Sequence, residues 1–200
     1  QQLQALAQPP GQQRLTQLVA KAKQRGVRVE LLLGEPTWAL PEGRAQLLKL
    51  IQSVRHLPFN ALHLDLERSQ LPEADQPQWD QGVLDTVRAV RGIAPWPVAL
   101  TTHYREFESP GFAQRLQEAG ASELTAMLYV SNTDRAFDIA QPLLQGPPGL
   151  KFSIAQSMER ALTAEESHFQ LGKAVALQRW SALAKQLSAL PQFSGVIVQS

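Results

Sequence analysis

The stretch Ala61-Leu62-His63-Leu64-Asp65-Leu66-Glu67 alternates apolar and polar residues with period two. That is the pattern of a β-strand with a core against one face and a different environment on the other. Leu62, Leu64 and Leu66 share the apolar face, and His63, Asp65 and Glu67 share the opposite one. An imidazole and two carboxylates then stand in a row, roughly 6–7 Å apart along the strand. The leucine face requires a helical layer, and the flanking segments supply it. Residues 42–56 carry Leu47, Leu48, Ile51 and Val54 at helical spacing before Pro58, and a second helix runs over 79–91. A polar row on the other face suits the inside of an α/β barrel, where residues at the carboxyl ends of strands do chemistry.

The same alternation continues in both directions. A helix over 14–24 ends at Gly26, and residues 27–33 form a strand closed by Gly34-Glu35-Pro36. Downstream, strands are expected over 97–103, 123–130, 150–156 and 195–199, with helices over 111–119, 133–144 and 173–190 between them. Residues 158–171 read as a long loop or short helix. The six strands have no hairpin signals between them, so they form parallel βα units. A doubly wound sheet and a barrel both fit this order. No strand is followed by a glycine-rich phosphate loop, which favours the barrel. The expected fold is therefore α/β, a (β/α)8 TIM-type barrel with strands three to eight visible. The first two strands are expected upstream of this chain or are missing from it. Residues 1–13, with Pro9-Pro10-Gly11, read as a Gln/Pro-rich lead-in, and 14–200 as the partial barrel domain.

Composition narrows the function classes. Two hundred residues with 44% hydrophobic content suit one domain with a proper core. The formal charge is +1 with both signs interspersed, so there is no electrostatic footprint for nucleic acid. No apolar run reaches membrane-spanning length. The absence of cysteine excludes disulfides, zinc–thiolate sites and a cysteine nucleophile. The chain starts at Gln1 rather than Met, which fits a removed signal peptide and a periplasmic or secreted location. Oligomeric state is not legible.

His63, Asp65 and Glu67 admit two readings. They can be a polar barrel interior whose charges neutralise one another. They can also be an acid/base site, because neighbouring carboxylates push each other's pKa values apart and leave one protonated. The same residue types could ligate a metal, with His103 as a fourth group, which would make a metal-dependent hydrolase. His103 ends its strand and Tyr129 lies in the next one; each reads either as core or as a ligand contact. Glu35, Trp38, Trp79 and Tyr104 follow strands in loops, where aromatics can stack on sugar rings. Gln199 ends the last strand. Gln156 joins the set if the strand end twists; strict alternation puts it with Phe152 and Ile154. No Gly-x-Ser-x-Gly elbow occurs, which argues against a serine hydrolase.

Phe59-Asn60-Ala61-Leu62-His63-Leu64-Asp65-Leu66-Glu67 resembles the signature strand of glycoside hydrolase family 18, the chitinase-like barrels, which reads Phe-Asp-Gly-Ile-Asp-x-Asp-x-Glu. Asp65 and Glu67 match its last Asp and its Glu, and His63 stands in place of the first Asp. Met127-Leu128-Tyr129 resembles the family's Met-x-Tyr-Asp, with Val130 for the Asp. The chain is also similar to uncharacterised bacterial barrel proteins whose strand reads His-x-Asp-x-Glu-Pro. The resemblance implies a glycosidase acting on a polysaccharide or oligosaccharide. Glu67 would be the general acid, Asp65 and Tyr129 would orient the substrate's acetamido group, and neither metal nor cofactor would be required. His63, Glu35, Trp38, His103, Tyr104, Gln156 and Gln199 would line the substrate cleft. The alternative is a non-catalytic barrel that binds polysaccharide or a partner. Either reading expects Asp65, Glu67, His103, Tyr129 and Gln199 to converge.

Overall fold

In a computed structural model, which describes residues 9–200, helices and strands alternate from end to end. They are α1 (Pro9–Gln24), β1 (Leu31–Gly34), α2 (Pro41–Val54), β2 (Leu62–Asp65), α3 (Trp79–Arg91), β3 (Val98–His103), α4 (Phe112–Ala119), β4 (Ala121–Met127), α5 (Thr133–Leu143), β5 (Lys151–Ser157), α6 (Gly172–Leu187) and β6 (Phe193–Gln199). Short 3-10 turns at Pro36–Ala39, Arg68–Gln70, Gln76–Gln78, Tyr104–Glu108 and Phe169–Leu171 fill several of the loops.

The strands form one six-stranded sheet in the order β1-β2-β3-β4-β5-β6, and β1–β2, β4–β5 and β5–β6 pair in parallel. This order separates the two architectures the sequence left open. A doubly wound sheet reverses its strand order at a switch point, whereas a barrel adds each strand beside the one before. No reversal occurs here. The fold is a parallel α/β sheet of sequential βα units, as in part of a (β/α)8 barrel.

Several boundaries differ from expectation: β4 runs over Ala121–Met127 and ends before Tyr129, and two shifts at the start of the chain have a visible physical reason. Residues 1–8 of the expected lead-in lie outside the described residues, and from Pro9 onward the chain is already helical. Proline is tolerated in a helix's first turn, where its missing N–H would have had no partner. Strand β1 starts at Leu31 rather than at residue 27 because the Asn60 side chain takes over the pairing there. Asn60 Oδ1 accepts from Val29 N at 2.9 Å, and Asn60 N donates to Val29 O at 2.8 Å.

The chain divides into two compact units, one of Gln1–Leu100 with Glu118–Ala121 and one of Thr101–Gln117 with Ser122–Ser200. In the first, period-two alternation decides burial: Leu62, Leu64 and Leu66 are all 0% exposed. Leu47 and Ile51 of α2, and Trp79, Val83 and Val87 of α3, are buried equally deeply. Arg44 ties this helical layer together. It donates to Thr86 Oγ1 at 2.9 Å, Gly82 O at 3.1 Å and Ala39 O at 3.3 Å. In the second unit Leu124, Phe152 and Ile154 fill the helix-facing side of β4 and β5, and Phe107 meets Phe152 edge-on at 5.5 Å. Among the described residues no helix is long and apolar enough to cross a membrane.

Candidate functional site

The register of β1 on β2 builds the site in the first unit. Leu32 pairs with His63 and Gly34 with Asp65. Alternation then places Glu30, Leu32 and Gly34 on the same side of the sheet as His63 and Asp65, away from the leucines. His63 Nδ1 lies 3.5 Å from Glu30 Oε2, with the two side chains 11% and 34% exposed. The pair is an ion pair whenever the imidazole is protonated. The hydrogen bond from His63 holds the Glu30 carboxyl below its ordinary pKa, against the opposing effect of partial burial; the charges of His63 and Arg28 add to the lowering. Glu30 was not legible as a site residue. Its only sequence signal is its parity with Leu32, two residues on.

Asp65 has the opposite character. Burial pushes its carboxyl above the ordinary value, partly offset by the charge of His63. Its Oδ1 is buried and accepts no hydrogen bond from the described residues. Gly34 makes room for it: a Cβ there would come 3.2 Å from Asp65 Cβ. Glu67 lies just past β2, where Gln70 Nε2 donates to its Oε1. The two carboxylates of the motif therefore differ. Asp65 is the desolvated one, and Glu67 is held by a neighbouring amide.

The lowered Glu30 carboxyl contributes stability above the unfolded value of 4.5. That contribution is lost as pH falls through the lower folded value. With a third of the side chain in water it is worth no more than about 1 kcal/mol. His63→Ala should return the Glu30 titration upward in a carboxyl carbon NMR titration. An unchanged Glu30 midpoint would show that the imidazole is not its cause.

Two of the three loop aromatics are buried, and Tyr104 is half-buried. Trp38 is 5% exposed and Trp79 is 0% exposed. The Trp38 carbonyl accepts from Thr86 Oγ1 at 2.8 Å, so its turn is fastened to α3. Glu35 caps that turn, its Oε1 accepting from Thr37 Oγ1 at 3.0 Å.

The other candidates belong to the second unit. His103 Nδ1 accepts from Arg105 N at 3.4 Å, and its ring lies 4.6 Å from Tyr104. Burial lowers its pKa, as does the charge of Arg105, against the pull of Glu108. Tyr129 is half-buried, two residues past the end of β4. Gln156 is 1% exposed, and its amide donates to Leu128 O. Gln199 is exposed on the last strand, and its carbonyl accepts from Met158 N at 2.7 Å. The first unit thus brings together Glu30, His63 and Asp65, with Glu67 next in line; His103, Tyr104, Tyr129, Gln156 and Gln199 lie in the second. Among the described residues no group of three or more His, Asp and Glu side chains is placed to hold a metal ion. An open groove of about 790 Å³ runs along α4 and α5, lined by Glu108, Pro110, Asp138 and Phe152 among others, and none of the candidate residues lines it.

No protein-family model matches the chain, and no curated protein does. Among solved structures it is similar to a 7,8-dihydropteroate synthase from Vibrio fischeri, at 12% identity and a TM-score of 0.45, with 86% of this chain and 60% of that one covered. It is also similar to a phosphonomutase-like protein from Burkholderia cenocepacia, at 12% identity and a TM-score of 0.37, with 86% and 90% covered. The chain spans 60% of the synthase's length. No family model matches the chain, so the resemblance to glycoside hydrolase family 18 is not borne out. The polysaccharide-directed function drawn from it falls too, in both its hydrolytic and its sugar-binding form. The buried Trp38 and Trp79 agree: neither offers a face on which a sugar could stack.

Proposed function

We propose that the first unit carries an acid–base site for a small polar molecule, centred on Asp65. His63 and Glu30 act as its positioning pair, and Glu67 stands at its edge. The observation that carries this reading is the Asp65 carboxyl, desolvated and with a buried oxygen that no described residue satisfies. An unsatisfied buried acceptor costs about 1–3 kcal/mol, and such groups concentrate where a protein uses them. Asp65 Oδ1 suits a hydrogen-bond donor on a ligand and, with its raised pKa, can take and return that donor's proton. The Glu30 contact on His63 Nδ1 orients the imidazole beside Asp65.

The reading predicts a conflict between stability and chemistry at Asp65. Its folded pKa lies above the unfolded value of 3.8, so folding takes up a proton between the two. The stability that this brings is complete below the unfolded value and is lost as pH rises through the folded one. At neutral pH the ionised carboxylate therefore opposes folding. Asp65→Asn should raise neutral-pH stability by about 0.5–2 kcal/mol, as changes at strained functional positions do. It should also abolish the amide shifts that a small hydrogen-bond-donating ligand, found by NMR screening of the wild type, causes at Gly34 and His63. Loss of more than about 1 kcal/mol in Asp65→Asn, with ligand shifts intact, would make Asp65 a structural residue.

A further inference from the structure

We infer that residues 158–171 form a pH-responsive strap across the carboxyl end of β5, held closed by uncharged His168 and released when that imidazole takes up a proton. The strap links β5 to α6 and is fastened at few points. Ser131, just past β4, donates from Oγ to Ala164 O at 2.7 Å and from N to Glu165 O at 2.8 Å. At the other end His168 N donates to Ser157 O at 2.9 Å, and Ser157 and Ser167 form an isolated parallel bridge. Between these fastenings the strap is open to water: Glu165 and Glu166 are exposed, and Phe169 is 45% exposed. Only Ser167 and His168 are sunk, at 2% and 1% exposure.

The surroundings of His168 make it the release point. Its ring meets Trp180 of α6 edge-on at 5.2 Å. The Ser157 carbonyl favours the protonated ring, while Nδ1 is buried with no partner among the described residues. Protonation makes both ring nitrogens donors, and among the described residues none accepts from the buried Nδ1. The indole Nε1 of Trp180 is also buried with no partner among the described residues. Closure thus already leaves two polar atoms unsatisfied that opening would hydrate.

The charged groups around the ring do not offset this. On α6, Arg179 donates to Ser131 O at 2.8 Å and brings a like charge toward the imidazole. The strap's carboxylates are engaged elsewhere, Glu166 on Thr163 and Glu159 on Ser157 Oγ, and Glu165 lies in solvent. Arg160 sits over the Phe169 ring. Burial lowers the pKa of His168 below 6.5, the Ser157 carbonyl opposes the shift and Arg179 reinforces it. The open strap therefore binds the proton more tightly than the closed one. Closure is fully stable above the ordinary imidazole value and weakens as pH falls below it.

Hydrogen exchange of the full chain at pH 7.5 and 5.5, corrected for intrinsic rates, tests this. Protection at Ser167, His168 and the rest of the strap should fall by up to about tenfold at the lower pH. The β5 amides from Phe152 to Gln156 should hold theirs. His168→Phe keeps an aromatic ring against Trp180 without a titrating group, and its strap should be equally protected at both pH values. Should that variant not fold, the wild-type imidazole can be followed by NMR: its midpoint should lie below 6.5 and coincide with the shift of the strap resonances. A strap whose protection does not change with pH, whose change persists in His168→Phe, or whose midpoint differs from that of His168 overturns the proposal.

Discussion

Gly82→Ala should unfold the first unit or leave it barely stable. A Cβ at Gly82 would stand 2.1 Å from Ala39 O, and one at Gly43 would stand 2.1 Å from Thr37 O. Both obstructing atoms are backbone, in the 3-10 turn that follows β1. Neither can swing aside as the end of a side chain could. Two helices, α2 and α3, thus reach that turn through positions where only hydrogen fits, and Arg44 closes the same joint by donating to Ala39 O and Gly82 O. Overpacking in a core costs about 1–3 kcal/mol, and more where the backbone must move. The expected loss for Gly82→Ala is at the top of that range or beyond it, read from chemical denaturation. Gly92→Ala is the control. Gly92 has helical dihedrals, and its added methyl would come no closer than 3.4 Å to the Ala89 carbonyl oxygen. It should stay within about 1 kcal/mol of wild type. Equal stability of the two variants would show that α3 does not approach the turn this closely.

Trp79→Ala should cost about 3–5 kcal/mol, the usual range for emptying a buried tryptophan site. In a chain of this size that is a fall in melting temperature of roughly 6–20 °C. Trp79 is 0% exposed at the first position of α3, with the Arg68 guanidinium 5.1 Å from its ring and bonded in turn to Asp80. A ligand-stacking aromatic behaves differently: its removal weakens binding and leaves the melt almost unchanged. Trp79→Phe should recover part of the loss, because a smaller ring refills some of the space. A melt of Trp79→Ala that overlays the wild type would return Trp79 to the surface, and with it a role in binding.

These two effects concern the scaffold, while the Asp65 and His63 experiments concern what the scaffold presents. Gly34 belongs to both. It ends β1 and leads into the crowded turn, and its missing side chain gives Asp65 its place. Rigid packing on the helix side thus supports an unsatisfied carboxylate on the other.

The alternation of residues 61–67 by itself determined a strand, which of its faces is buried, and which side chains stand together on the other. The succession of strand and helix patterns without hairpin signals likewise determined parallel βα units. Both are local properties, set by backbone periodicity and turn chemistry within a few residues. The motif resemblance rested on that same alternation, and it said nothing reliable about chemistry. What only the tertiary structure decided depends on register and desolvation, which no local pattern carries. Glu30 meets His63 because β1 and β2 pair with Leu32 opposite His63. Of two carboxylates equivalent in the sequence, Asp65 is desolvated with an unsatisfied oxygen, whereas Glu67, two residues on, has Gln70 for a donor. Trp38 and Trp79 follow strands as ligand-stacking aromatics would, yet helix packing buries both. His168 meets Trp180 only because the strap folds back on β5, a contact between a loop and a helix whose patterns do not refer to one another.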